Sequence, residues 1–461
     1  MISRDAQGLT DNFAPITMEC EAPHLPVFGE LPRALNGTLF RNGPNPQFTP
    51  LDPLRHHWFT GDGMVHGFTL CDGRVSYRNR WVRTAKWHAE AAAGRSLVSG
   101  FGSDSSRAMA NEGVANTNVV WHAERLLALE EGHLPIELDP ATLATRGVWN
   151  CGGALEGPFT AHPKLDPITG ELVFFGYSAA GPLSAGMSYG TIGTDGRVKR
   201  FEHFEAPYCS MVHDFVVTQR HVVFPVLPLS GSMARARAGA PPFAWEPDLG
   251  GYVGLIVREQ GIASLRWFRV ESCFVFHVLN AWDEDGRIIA DVMQYDEPPL
   301  FPRADGLPSG DTQAHLVRWT LDPAAATDAI TRTRLDDMSG EFPRIDDRRA
   351  GLRNRFGAFA GRSRPEVGLD SIAWLDLAAD RRAVFTLPAG DSISEPVFVP
   401  RDEAAAEGDG WLLGVAWRAA ERRSDLIVLD TRDIAHGPIA TVALSHRVPF
   451  GFHGNWVSDG G

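Results

Sequence analysis

Residues 166–178 run Asp-Pro-Ile-Thr-Gly-Glu-Leu-Val-Phe-Phe-Gly-Tyr-Ser, a turn followed by an apolar and aromatic run. In the turn Asp166-Pro-Ile-Thr-Gly170, proline presets φ and glycine accepts the conformations a chain reversal needs. In 172–178 (LVFFGYS), Val and Phe favour pleated backbone, so turn and run together predict a short strand. The same texture recurs at 125–131 (RLLALEE), 221–227 (HVVFPVL), 287–295 (RIIADVMQY, entered from the turn Asp283-Glu-Asp-Gly286), 411–417 (WLLGVAW) and 426–430 (LIVLD). Forty-seven glycines and 32 prolines are spread along the chain instead of collecting in one linker. Helical periodicity is scarce, and two short helices are expected, at 83–95 with its alanine-rich WHAEAAAGR and at 401–407. A long chain of short strands must satisfy its sheet edges, and a ring of four-stranded blades does so by closure. Seven blades would take about 66 residues each, and no internal repeat is strong enough to set the count. Residues 228–251 (PLSGSMARARAGAPPFAWEPDLGG) read as a long excursion, either a surface loop or a mouth touching hydrophobic substrate or a membrane.

Composition narrows the class. Of 461 residues, 44% are hydrophobic and 22% charged, the balance of a globular chain with a sizeable core. Forty-three Lys and Arg against 57 Asp and Glu give a net charge of −14, with no basic stripe to offset it, which sets nucleic-acid binding aside. Cys20, Cys71, Cys151, Cys209 and Cys273 are odd in number and far apart, which points to reduced thiols in a cytoplasm and not to a disulfide framework. The opening MISRDAQGLTDNFAPITMEC lacks the apolar core of a secretory signal, and no apolar run is long enough to span a bilayer. A cytoplasmic, water-soluble protein is the expectation.

Sixteen histidines carry most of the chemical information, because imidazole is a common metal ligand and no cysteine cluster competes with it. On a strand the adjacent pair His56-His57 would face opposite ways. His162 (FTAHPK), His213 (MVHDF), His277 (VFHVLN) and His453 (GFHGNW) each lie in or beside a strand-like apolar segment, tens of residues apart. A metal held by them would be assembled from four remote parts of the chain, as converging blades allow; four unrelated core histidines fit the same spacing. Gly186-Met-Ser188-Tyr-Gly190 has the spacing of a serine nucleophile elbow, but neither the strand before nor the helix after it is present in the pattern. His122-Ala-Glu124 could start a two-histidine, one-carboxylate iron site, a short pattern that arises by chance. Zinc-protease, phosphate-loop and dinucleotide motifs are absent.

Together with the four histidine segments, Arg41-Asn-Gly-Pro-Asn-Pro46, residues 57–67 (HWFTGDGMVHG) and Ser394-Glu-Pro-Val-Phe398 form a set that resembles the carotenoid cleavage oxygenases, in the family's order and over nearly the whole chain. The resemblance implies an all-β protein: a single seven-bladed β-propeller domain over 1–461, with a dome of loops and short helices over an axial non-haem Fe(II). His162, His213, His277 and His453 match its four ligand positions. Four neutral imidazoles would leave the ion its full 2+ charge and two open octahedral positions. Carboxylates then belong one step out, holding the other N–H of each ring. Glu131, Glu341 and Glu395 match those positions and would pair with His213, His277 and His453, leaving His162 without a carboxylate. Glu395 lies in an apolar, proline-flanked segment where an unpaired charge would be costly. Glu130 and Glu131 would face opposite ways on a strand, so only one could serve a histidine.

The reaction the resemblance implies is scission of a C=C bond by O2 into two carbonyl products, with no organic cofactor. Its substrate is a hydrophobic polyene, and 26 Phe, 13 Trp and 6 Tyr would suit a tunnel for it. Stilbene-cleaving members hold a substrate phenol with a tyrosine and a lysine, and the matching positions here carry Phe101 and Glu130. Phenylalanine has no hydroxyl and glutamate has the wrong charge to stabilise a phenolate. The exchange tilts the expectation to an apocarotenoid over a lignostilbene or other phenylpropanoid alkene. Peripheral membrane contact at the substrate entrance, isomerisation on the same iron, and a non-catalytic propeller scaffold stay open as alternatives.

Overall fold

The computed structural model describes residues 8–54, 56–98, 113–324 and 330–459. Phe101 lies outside them. Among the described residues the paired strands form seven sheets of four to six strands and one two-stranded ribbon, and the fold is a seven-bladed β-propeller. The predicted strands appear as Arg125–Leu129, Leu172–Tyr177, His221–Val226, Arg287–Tyr295, Gly410–Arg418 and Arg423–Asp430.

Two compact units can be described separately: Met1–Asn150 with Arg355–Gly461, and Cys151–Asn354. Within the first, strand Gly37–Pro44 pairs on one side with Gly63–Cys71 and on the other with Gly454–Ser458, with Phe40 opposite Asn455 and Arg41 opposite Gly454. Leu39, Phe68, Trp411, Leu413 and Val428 fill its core. A Cβ on Gly454 would lie 2.3 Å from the Phe40 carbonyl oxygen, so only glycine lets these two strands close at that point. Within the second unit, three successive sheets begin on the edge strands Lys164–Leu165, Val216–Val217 and Phe274–Glu284. Phe175, Phe215 and Phe224 pack ring against ring between the first two, with centroids 4.6 to 6.0 Å apart. Aromatic pairs at such distances add about 0.5–1.5 kcal/mol beyond the area they bury.

Two expectations change. The helix expected at 83–95 is Ala85–Ala93, capped by Thr84 and closed by Gly94 at φ 65°, but 401–407 forms turns. There Asp402 Oδ1 accepts the Ala404 N–H at 2.9 Å, a local bond that competes with helix, and Gly408 at φ 80° reverses the chain. The excursion 228–251 is not an irregular surface loop: Leu229–Gly231 pairs with Phe243–Trp245 around the short helix Met233–Arg237, with Leu229, Phe243 and Trp245 buried. Ser188 sits in mid-strand within Gly186–Ile192, paired with Gly176 and His203, which is not the strand-to-helix turn of a nucleophile elbow. Among the described residues no helix is long and apolar enough to cross a membrane.

Candidate metal centre

The histidines reach the centre from strand edges by different local devices. His162 lies two residues before Lys164–Leu165, and its N–H is donated to Thr160 Oγ1 at 2.9 Å. Thr160 is itself pinned to the sheet, its N–H given to the Phe175 carbonyl at 2.8 Å. His213 lies three residues before Val216–Val217. His277 is inside its strand, where pairing passes from Val275–Gln294 directly to Val278–Val292, so Phe276 and His277 face one residue of the partner. A bulge of this kind turns a side chain out of the regular alternation. His453 directly precedes Gly454–Ser458; its N–H goes to the Thr117 carbonyl at 3.1 Å and its carbonyl accepts the Asn42 N–H at 2.9 Å.

All four rings are buried. One ring nitrogen from each of His162, His213, His277 and His453 lies within 4.8 Å of the other three. His162 Nε2 and His213 Nε2 are 3.0 Å apart, and the ring centroids of His162, His213 and His277 are separated by 4.6 to 5.1 Å. With metal–nitrogen bonds of roughly 2.1 Å, cis ligands lie roughly 3.0 Å apart and trans ligands roughly 4.2 Å. The His162–His213 separation is that of two adjacent ligands on one ion.

The outer nitrogens support the same reading. His277 Nδ1 bonds Glu341 Oε2, and His453 Nδ1 bonds Glu395 Oε1 at 2.9 Å. A ring that donates its Nδ1–H to a carboxylate presents an unprotonated Nε2, the form that binds a metal. Glu341 also accepts the Tyr295 hydroxyl at 2.8 Å and the Phe342 N–H at 2.7 Å; Glu395 Oε2 accepts the Gly454 N–H at 2.8 Å. Burial alone would raise the Glu341 carboxyl, but the neighbouring His277 ring and these hydrogen bonds bring it below its ordinary value. Phe342 stacks on His277 with centroids 5.4 Å apart, and Phe276 sets its edge against His213 at 5.1 Å, so the rings are bordered by apolar surface. The donor set is four imidazoles with at least two carboxylates behind them, the chemistry of a divalent transition-metal site.

Comparison with known proteins agrees. The family model described as "Retinal pigment epithelial membrane protein" matches residues 13–458. The isoeugenol monooxygenase of Pseudomonas nitroreducens is 38% identical over 99% of both chains. The chain belongs to the carotenoid cleavage oxygenase family. The lignostilbene-alpha,beta-dioxygenase isozyme III of Sphingomonas paucimobilis is 34% identical over 98% of this oxygenase and 97% of its own length. The crystal structure of the lignostilbene dioxygenase of Pseudomonas brassicacearum matches the oxygenase with a TM-score of 0.94 at 36% identity, covering 99% of each. This chain is thus an oxidative cleavage enzyme with a four-histidine metal site.

The remaining expected residues of the oxygenase fall as follows. Glu131 is partly buried two residues beyond Arg125–Leu129, so strand alternation does not decide its direction. Glu130 bonds His133 Nδ1 through Oε1 and accepts the Val114 N–H at 3.0 Å through Oε2. Burial by itself would raise its carboxyl, and His133 with the backbone donors holds it below its ordinary value. His122 and Glu124 sit at the end of Asn118–His122 and in the turn beyond, apart from the histidine cluster. Sequence reasoning missed Thr160, Tyr295, Asp214 and Arg41. The signal for Asp214 was an acidic residue inside the apolar stretch MVHDFVV. Arg41 is buried and donates from Nη1 to the Pro449 carbonyl at 3.0 Å, four residues before His453; its charge faces that of Glu395.

Proposed function

We propose that this oxygenase holds ferrous iron through His162, His213, His277 and His453 and cleaves one C=C bond of a conjugated aryl alkene, such as a phenylpropene or a hydroxystilbene, with O2. Iron supplies the one-electron chemistry that lets triplet O2 react with an alkene, and two carbonyl compounds leave. The chain's own groups do the rest. Glu341 and Glu395 hold the Nδ1–H of His277 and His453, and Glu131 is assigned the same part for His213. Thr160 fixes the backbone of His162, which has no carboxylate assigned. Phe276 and Phe342 keep water from the rings.

The observation that carries the reading is the four-ring cluster with carboxylates on its outer nitrogens, in a chain that aligns end to end with the isoeugenol and lignostilbene enzymes. A second reading, an apocarotenoid substrate, is favoured by Glu130, whose carboxylate is taken up by His133 and Val114 where a phenolate-binding lysine would stand. The test is anaerobic loading with Fe(II), then O2 uptake and product analysis on isoeugenol, 4-hydroxystilbenes and apocarotenals. Aryl aldehydes carrying labelled oxygen support the first reading, and apocarotenoid aldehydes alone the second. An iron-loaded protein that consumes no O2 with any of them overturns both in favour of a scaffold.

A further inference from the structure

Three of the four histidines hang from separate sheet edges of the second unit, and one buried carboxylate that is not itself a ligand ties their segments together. Asp214, 2% exposed, directly follows His213. Its Oδ2 accepts the N–H of Val278, the residue after His277, at 2.8 Å. Its Oδ1 receives the ammonium of Lys164, two residues beyond His162, at 2.6 Å, and the N–H of Phe215 at 2.7 Å. Within two residues of each ring, the chains bearing His162, His213 and His277 therefore end on the same side chain.

The Val278 contact falls at the bulge that aims His277. There the backbone N–H is given to Asp214, so the carboxylate braces the irregular segment. A carboxylate this deeply buried is stable only with a charge and hydrogen bonds around it, and here Lys164 provides the charge and two backbone N–H groups the bonds.

We propose that Asp214 is a positioning residue of the metal centre: through Lys164 and Val278 it sets the spacing of His162, His213 and His277 without touching the ion. The inference rests on the four-histidine metal reading and adds a residue to it. Loss of a group that orients ligands typically weakens metal binding about 10–100-fold.

The test uses the full chain, stripped of metal and titrated with Co(II) and, anaerobically, Fe(II). It follows affinity by chelator competition and ligand geometry by the Co(II) d–d absorption bands. Asp214→Ala is expected to lower affinity at least about tenfold and to shift those bands. Lys164→Met, which keeps the Val278 bond, and Asp214→Asn, which keeps an acceptor for one N–H, are expected to shift affinity and bands the same way by less. A purely structural role would lower the melting temperature of the metal-free protein and leave the bands in place. That result, with affinity within about twofold of wild type, overturns the proposal. If Asp214→Ala does not fold, Lys164→Met and Asp214→Asn decide, and unchanged affinity and bands in both overturn it. A wild-type chain that binds neither metal removes the four-histidine reading itself, a failure distinct from the loss of Asp214's part in it.

Discussion

Glu395→Gln is the substitution whose consequence can be worked furthest. Glu395 presents two oxygens to two donors, Oε1 to His453 Nδ1–H at 2.9 Å and Oε2 to the Gly454 N–H at 2.8 Å, with both side chains buried. Glutamine keeps one oxygen and replaces the other with an NH2, so one donor must lose its acceptor. If the amide oxygen stays with the fixed Gly454 N–H, its NH2 faces His453 Nδ1 and drives the ring to the tautomer that carries its proton on Nε2, the form that cannot bind a metal. If the amide turns over, the ring keeps its tautomer, but a charge-assisted bond becomes a neutral one and the Gly454 N–H is left buried without a partner. The first arrangement withholds a ligand. The second costs about 1–3 kcal/mol for the stranded donor and about 1 kcal/mol for the weakened bond. Loss of a group that orients a ligand typically weakens metal binding roughly 10–100-fold, and ferrous affinity is expected to fall in that range. Anaerobic competition of the purified protein against a chelator of known affinity measures it. Affinity within about twofold of wild type would refute the claim that this carboxylate orients His453.

Other perturbations test other links. His213→Ala should abolish metal retention and turnover while the metal-free protein melts close to wild type, since the blades are held by their own cores; full activity would contradict the ligand assignment. Gly454→Ala should cost about 1–3 kcal/mol in urea unfolding and lower metal content as well, because its Cβ would sit 2.3 Å from the Phe40 carbonyl oxygen and displace the strand that carries His453. Stability should fall as pH drops below about 4. Burial by itself raises the Asp166 carboxyl, but Arg258 at 2.8 Å and the Ile168 and Thr169 N–H groups hold it below its ordinary value. Its contribution is therefore complete above the unfolded-state value and lost as pH falls through the folded one. In Asp166→Asn, urea midpoints measured from pH 5 to pH 2.5 should decline less steeply than in wild type, and equal slopes would remove Asp166 from the account.

The inner strands were legible because burial on both faces writes them as apolar runs, as in LVFFGYS and WLLGVAW. Outer strands such as Val198–Glu205 (VKRFEHFE) and Ile330–Arg334 (ITRTR) were not, since solvent on one face leaves them polar. The segment 401–407 misled because alanine content predicts helix, while one side-chain bond from Asp402 and a glycine reversal decide the local structure. The four histidines could be proposed from their apolar surroundings and family motifs, and their convergence is a property of the fold. What aims them was hidden: Thr160 under His162 acts through space-specific hydrogen bonding, and the Phe276–His277 irregularity depends on the partner strand.

That two-against-one pairing on the Phe274–Glu284 strand also limits how the enzyme can change. Removing Phe276 would take out this irregularity, one of two on the strand, and put the imidazole at a regular ladder position, although every ligand would still be encoded. Such a blade would remain well formed and be blind to the ion. An engineer transplanting the centre to another propeller must copy the miscounted strand along with the histidine.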